Sequence, residues 1–433
     1  MYQKTVLHNG LSVVTERSPS RTVSFGIWID IGSRDEDPAS LGCAHFVEHM
    51  LFKGTVDRDA AAIARQLDRL GGQANAFTTK EQTCLYGTVL DAQLPQLVSL
   101  LSDLLCHSLL EGLEVERERL VILQEIGMVQ DTPEDLIQEL FAGVLWEGHS
   151  LGRTILGVPE SVMGVTGERL REFIARGYVP NRILIAAAGN VDHERLVDLL
   201  ESTTLFAPAP CLPPLVPRAV PVCLPARMVV QPKRLEQAHV LLGGYGLAAG
   251  SPSRYALALL NTILGGNMSS RLFQEIREKR GLAYSIYSFI EATSDTGMVG
   301  IYAGVGHGDV NEVMELIRLV LADLCAGGIS REELAGAQDF ARAGIYLAEE
   351  SMEARMMRLA KNELTHGRPV PIEEVEAALA RVGVDELTAL AGAMFVQPLS
   401  GVILGPVRRD DYRSDPGLCV DEGPEDCLGQ PGE

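Results

Sequence analysis

The chain has 433 residues, which at roughly 150 residues per domain is enough for two or three domains with real hydrophobic cores and excludes a small disulfide-stapled scaffold. Hydrophobic residues make up 46% and charged residues 22%, near the globular average, so wholesale disorder, collagen and coiled-coil architectures are excluded as well. Lys and Arg number 37 against 58 Asp and Glu, and the resulting formal charge of -21 repels polyphosphate and argues against nucleic acid as a partner.

The first residues, Met1-Tyr-Gln-Lys-Thr-Val-Leu-His-Asn-Gly, run straight into strand-like sequence without a basic region followed by a long apolar one, so the expectation is no export signal and a cytoplasmic protein. No apolar run reaches the roughly 18 residues of a membrane span, and no membrane association is expected. A strand, an Asn9-Gly10 turn, a strand from Leu11 to Glu16 and a third from Val23 to Ile31 predict an opening meander. Helical periodicity follows at Ala44 to Phe52 and Ala60 to Leu70, then strands at Gln73 to Thr78 and Gln82 to Val89. Long helices are predicted at Ala92 to Cys106 and Leu113 to Val129, a wholly apolar strand at Arg182 to Gly189, and a helix at Asp192 to Glu201.

Between Phe206 and Pro225 the prolines are too dense for a helix or central strand, which marks a linker. The sequence on its two sides reads alike, strand, helix, paired strands and long helices in the same order. The expected organisation is α+β: an N-terminal domain at 1–206, a linker at 207–225, a homologous C-terminal domain at 226–407, each an antiparallel sheet backed by helices, and an acidic, disordered tail at 408–433. The 8 cysteines show no CxxC and no cluster with histidine, so free thiols in a reducing compartment are expected.

Chemistry concentrates in Cys43-Ala44-His45-Phe46-Val47-Glu48-His49-Met50. Histidines at i and i+4 of a helix share a face, so His45 and His49 can aim at one metal ion with Glu48 at the adjoining edge, two ligands and a base. The pattern is the HExxH zinc motif reversed, a relation of two histidines and one glutamate that survives reversal of helix direction. A catalytic zinc needs a third protein ligand, for which the acid-rich Glu114 to Glu125 stretch offers several carboxylates.

These residues resemble the pitrilysin/insulinase family of inverted-motif zinc peptidases, in particular the short branch that holds the mitochondrial processing peptidase β subunit and its bacterial relatives. The resemblance extends to about Gly405. It implies two homologous domains of LuxS/metallopeptidase-like fold closing as a clamshell, one Zn²⁺ per chain, a peptide or unfolded polypeptide as substrate, and a homodimer. In Val121-Ile122-Leu123-Gln124-Glu125 it implies Glu125 as the third ligand, and it gives Glu118 as a partner orienting a ligand histidine. Asn75, Ala76 and Phe77 fall on what resembles the family's edge strand for peptide binding, and Arg277 and Tyr284 match its substrate-binding arginine and tyrosine. The region near Leu259 to Ile263 corresponds to the metal motif but has no ligand set.

The expected function is a zinc metalloendopeptidase with Glu48 as general base. The other expectation is a catalytically silent partner subunit of a processing-peptidase-like complex. Gly244-Tyr-Gly-Leu imitates a dinucleotide fingerprint, but Ser251-Pro252 interrupts the helix it would open.

Overall fold

The computed structural model describes residues 1–203, 205, 218–408, 412 and 419–421. Strands β1 (Tyr2–Val6) and β2 (Ser12–Arg17) form an antiparallel hairpin. Gly10 turns it at a φ of 91°, a left-handed conformation that glycine adopts without a Cβ clash, and Asn9 Oδ1 accepts from the Leu11 amide at 3.1 Å. Then come β3 (Thr22–Ile29), α1 (Cys43–Leu51), α2 (Ala60–Leu70), β4 (Gln73–Thr78), β5 (Thr83–Leu90), α3 (Leu94–His107), α4 (Gly112–Asp131) and α5 (Pro133–Leu145). The first half ends with α6 (Pro159–Met163), α7 (Gly167–Gly177), β6 (Ile183–Gly189) and α8 (His193–Glu201).

The opening strands do not form a meander. The sheet runs β1-β2-β6-β3-β5-β4, with β6 inserted parallel to β2 and antiparallel to β3. The reason lies in the composition of β6: Ile-Leu-Ile-Ala-Ala-Ala-Gly is buried at every position, and a strand apolar on both faces belongs in the middle of a covered sheet.

The second half supplies β7 (Arg227–Pro232), β8 (Ala238–Tyr245), α9 (Arg254–Asn261), β9 (Ala283–Ala292), β10 (Gly297–Val305), α10 (Val310–Cys325), α11 (Arg331–Glu349) and α12 (Met352–His366). It closes with α13 (Ile372–Arg381), α14 (Val384–Phe395), β11 (Ser400–Gly405) and β12 (Cys419–Asp421). Its sheet, β12-β7-β11-β8-β10-β9, repeats the first from β7 to β9, including one internal parallel pair: β2 with β6 there, β7 with β11 here. The outermost strands differ in sense, β1 antiparallel to β2 and β12 parallel to β7.

The chain folds into two compact units that are discontinuous in sequence. One comprises Met1–Met128, the described residues of Arg153–Ala219 and Gly344–Pro371; the other comprises Val129–Gly152, Val220–Ala343 and the described residues from Ile372 onward. These units differ from a division at 1–206 and 226–407 because each sheet has two apolar faces and the helices of one half cover only one of them. In the first unit α12, encoded in the second half, lays Met356, Leu359 and Ala360 on Val14, Trp28, Cys84, Leu184 and Ala186. In the second, α5 from the first half lays Leu136, Ile137, Phe141 and Leu145 on Val229, Leu241, Val402 and Leu404.

Of the expected linker at 207–225, residues 207–217 lie outside the described residues, as does most of the tail expected at 408–433. Cys43, Cys84, Cys223 and Cys325 are free thiols. Among the described residues no helix is long and apolar enough to cross a membrane.

Candidate metal centre

Helix α1 exists because Cys43, Ala44, Phe46, Val47, Met50 and Leu51 recur at helical spacing and are all buried, which leaves His45, Glu48 and His49 on the remaining face. Its first turn is held by a residue that sequence reasoning passed over. The buried carboxylate of Glu36 accepts from the amides of Gly42 at 2.9 Å and Ala44 at 2.7 Å, two of the donors that a helix N-terminus leaves unmatched. Burial pushes its pKa up to about 8, against the pull of those two amides. Arg153 Nη1 in turn donates to the Glu36 carbonyl at 3.1 Å. An acidic residue shortly before a predicted helix start was the available signal.

Helix α4 presents Glu118 and Glu125, one heptad apart, on a single face. Glu125 Oε2 stands 3.4 Å from His49 Nε2 and 3.7 Å from His45 Nε2, and the two imidazole nitrogens are 3.2 Å apart. His49 Nδ1 meets Glu118 Oε1 at 2.8 Å. A carboxylate can only accept there, so the single proton of a neutral His49 sits on Nδ1 and Nε2 presents a lone pair. Burial, with the adjacent His49, pulls the pKa of His45 down to about 4, so the His45 ring is neutral at neutral pH.

These observations decide whether the residues suit a zinc ion. One atom from each of His45, His49 and Glu125 lies within 4.8 Å of the others, the only such group of three among the described residues. Two imidazole lone pairs and a carboxylate oxygen converge, and ligands at about 2.0–2.2 Å from a tetrahedral zinc stand at comparable mutual distances. The donor set fits.

Glu48 lies on the same helix as the histidines. Its Oε2 accepts from the Thr78 hydroxyl of β4 at 2.5 Å. Burial raises its pKa, opposed by the Thr78 hydrogen bond and by His49, and Glu125 adds to the rise. Strand β4 forms one edge of its sheet, paired to β5 alone among the described strands. Along it Asn75 is exposed, Ala76 is packed into the core, and Phe77 stacks edge-on against Tyr86 with ring centroids 5.9 Å apart. Thr78 and Lys53, whose Nζ lies 2.5 Å from Glu118 Oε2, were not singled out from sequence.

Arg277 and Tyr284 belong to the second unit, where they stand together. The guanidinium carbon lies 4.9 Å from the centroid of the exposed Tyr284 ring and 4.8 Å from that of Phe273.

With this geometry in place, relatives are informative. An uncharacterised zinc protease of Streptomyces coelicolor is 40% identical over 412 residues, covering 94% of this chain and 90% of that protein. Another from Bacillus subtilis, YmxG, is 36% identical over 417 residues, 94% of this chain and 98% of its own length. The chain belongs to the insulinase family of peptidases, family M16. Within it, residues 12–158 match the model described as insulinase (peptidase family M16), and residues 164–340 match the peptidase M16 inactive domain. Two solved structures share the M16 fold at a TM-score of 0.86: a protease from Helicobacter pylori, at 22% identity over 94% of this chain and 100% of that one, and a peptidase M16 inactive domain from Pseudomonas fluorescens, at 20% identity over 94% and 98%. His45, Glu48, His49 and Glu125 all fall in the first matched segment. In the second, α9 holds the place that α1 holds in the first, and its sequence Arg-Tyr-Ala-Leu-Ala-Leu-Leu-Asn contains no histidine or carboxylate.

Proposed function

We propose that this M16 protein is a zinc-dependent endopeptidase acting on short or unfolded polypeptides. The observation that carries the reading is the convergence of His45 Nε2, His49 Nε2 and Glu125 Oε2 beside a fourth group, Glu48, on the same helix face. When bound, the zinc ion supplies Lewis acidity, polarising the scissile carbonyl and lowering the pKa of a water molecule. His45, His49 and Glu125 hold it, and Glu118 keeps the His49 proton on Nδ1.

Glu48 takes a proton from the attacking water at the carboxylate oxygen that Thr78 leaves free and returns it to the leaving amine. The free edge of β4 at Asn75, Ala76 and Phe77 suits an extended peptide through main-chain hydrogen bonds, which tolerate many sequences. Arg277 and Tyr284 are proposed to hold the substrate carbonyl as two hydrogen-bond donors. A silent partner subunit would have no need of this set, and the chain retains every member of it.

The test is metal content and peptide turnover in wild type and two variants. Wild type should bind one zinc ion and lose activity to a chelator. Glu48→Gln should keep its zinc and cleave about 10²-fold or more slowly, and Arg277→Ala should retain zinc but lose kcat/KM. Zinc-free wild type, or Glu48→Gln at wild-type speed, removes the enzyme reading.

A further inference from the structure

We infer that Lys53 is a positioning residue of the metal centre: its ammonium pins one oxygen of Glu118 so that the other is held for His49. This rests on the proposed zinc site and adds a layer to it.

Lys53 lies four residues beyond His49, on the same side of the chain just after α1 ends, and its amide still donates to the Met50 carbonyl at 3.1 Å. Both oxygens of Glu118 are engaged, Oε1 by His49 Nδ1 at 2.8 Å and Oε2 by Lys53 Nζ at 2.5 Å. The carboxylate torsion of a glutamate is broad and poorly defined by itself, so one contact leaves the group free to turn and two contacts fix its plane. Glu118 supplies the acceptor that keeps the lone pair of His49 on Nε2. Loosening that plane loosens the ring whose nitrogen stands 3.4 Å from Glu125.

The ion pair is not one of the many solvated pairs on the surface. The Glu118 side chain is only 6% exposed and that of Lys53 31%, so the acidic partner has almost no water to replace a lost ammonium. Exposed pairs contribute little, whereas removing one partner of a buried charge is strongly felt. Lys53 also lines a cavity of about 520 Å³ with Met50, Arg58, Glu111 and Glu114, which leaves room for a bulkier cation in its place.

The experiment is zinc affinity by chelator competition on the full chain, for wild type, Lys53→Met and Lys53→Arg, with thermal unfolding of each metal-free protein alongside. Lys53→Met keeps the apolar stem and removes the charge, and its zinc Kd should rise about tenfold, the low end for a group supporting a metal ligand. Lys53→Arg should recover most of that loss. A Lys53→Met Kd within twofold of wild type overturns the assignment, as does an equal loss in Lys53→Arg. Should Lys53→Met fail to fold, the ¹⁵Nζ resonance of Lys53 in wild type decides: a slowly exchanging ammonium held at Glu118 supports the role, and a freely exchanging one ends it. Wild type with no affinity for zinc refutes the site itself and is distinguishable from either result.

Discussion

At Glu48 two influences oppose one another. Burial favours the protonated acid, while the Thr78 hydroxyl at 2.5 Å and the neighbouring His49 favour the carboxylate that a general base must be. A hydrogen bond to an ionised group is worth about 1.5 kcal/mol or more, and each 1.4 kcal/mol is about a factor of ten in rate. Thr78→Val should therefore lower kcat about tenfold while leaving zinc content and KM near wild type. Steady-state kinetics with parallel metal analysis checks this, and an unchanged kcat would show that the hydroxyl has no part in orienting the base. His45, Glu48 and His49 were legible in sequence because i, i+3 and i+4 of one helix lie together by geometry alone. Thr78 was not, since its contact with Glu48 depends on where β4 packs against α1, and nothing in either segment encodes that distance. Lys53 was half legible: its helical spacing from His49 is in the sequence, but its partner Glu118 is on another helix.

Helices and strands show the same division. Helix α4 appears within two residues of its expected bounds, and its acidic pair on one face follows from a heptad spacing. Strand β6 was predicted from its apolar run, yet its slot between β2 and β3 was not, because an apolar run states that both faces are covered without naming the neighbours. Helix α11 carries a start signal of a more local kind. Ser330 Oγ accepts from the Glu333 amide at 3.1 Å and Glu333 Oε2 accepts from the Ser330 amide at 2.8 Å, a reciprocal cap. Arg271 grips the same carboxylate through Nε at 2.7 Å and Nη2 at 2.9 Å. The Arg271 hydrogen bonds, reinforced by Ser330, hold the Glu333 pKa down at about 2, against 4.5 for an ordinary glutamate. A carboxylate depressed on folding stabilises the folded chain above its unfolded pKa, and that contribution disappears as pH falls from about 4.5 toward 2. Thermal unfolding of wild type should thus show an acid loss across this interval that is shallower in Glu333→Gln. Identical acid limbs would exclude the mechanism.

On the scale of the whole molecule, the repeat was visible from the matching order of elements, and the two sheets reproduce it in every strand but the outermost beside β2 and β7. What was invisible is the trade of α5 and α12, since an amphipathic helix advertises an apolar face and not the sheet it will meet. The trade makes the two halves dependent on one another. A fragment ending at Ala219 lacks α12 and bares Trp28, Leu184 and Ala186 on the outer face of its sheet. Expressed alone it should be insoluble or bind a hydrophobic dye, and expressed with residues 220–433 it should co-purify as a soluble pair. A first fragment that is monomeric and unfolds cooperatively by itself would contradict this.

The same arrangement constrains biosynthesis. A ribosome releases the entire first sheet, together with the histidine helix α1, well before it makes Met356 and Leu359, so the nascent polypeptide carries a greasy, unlidded β-surface until α12 follows. Premature termination between β6 and α12 consequently yields a product with His45, Glu48, His49 and Glu125 all in its sequence and no means of burying the outer face of its sheet, a candidate for chaperones and aggregation instead of a smaller folded protein.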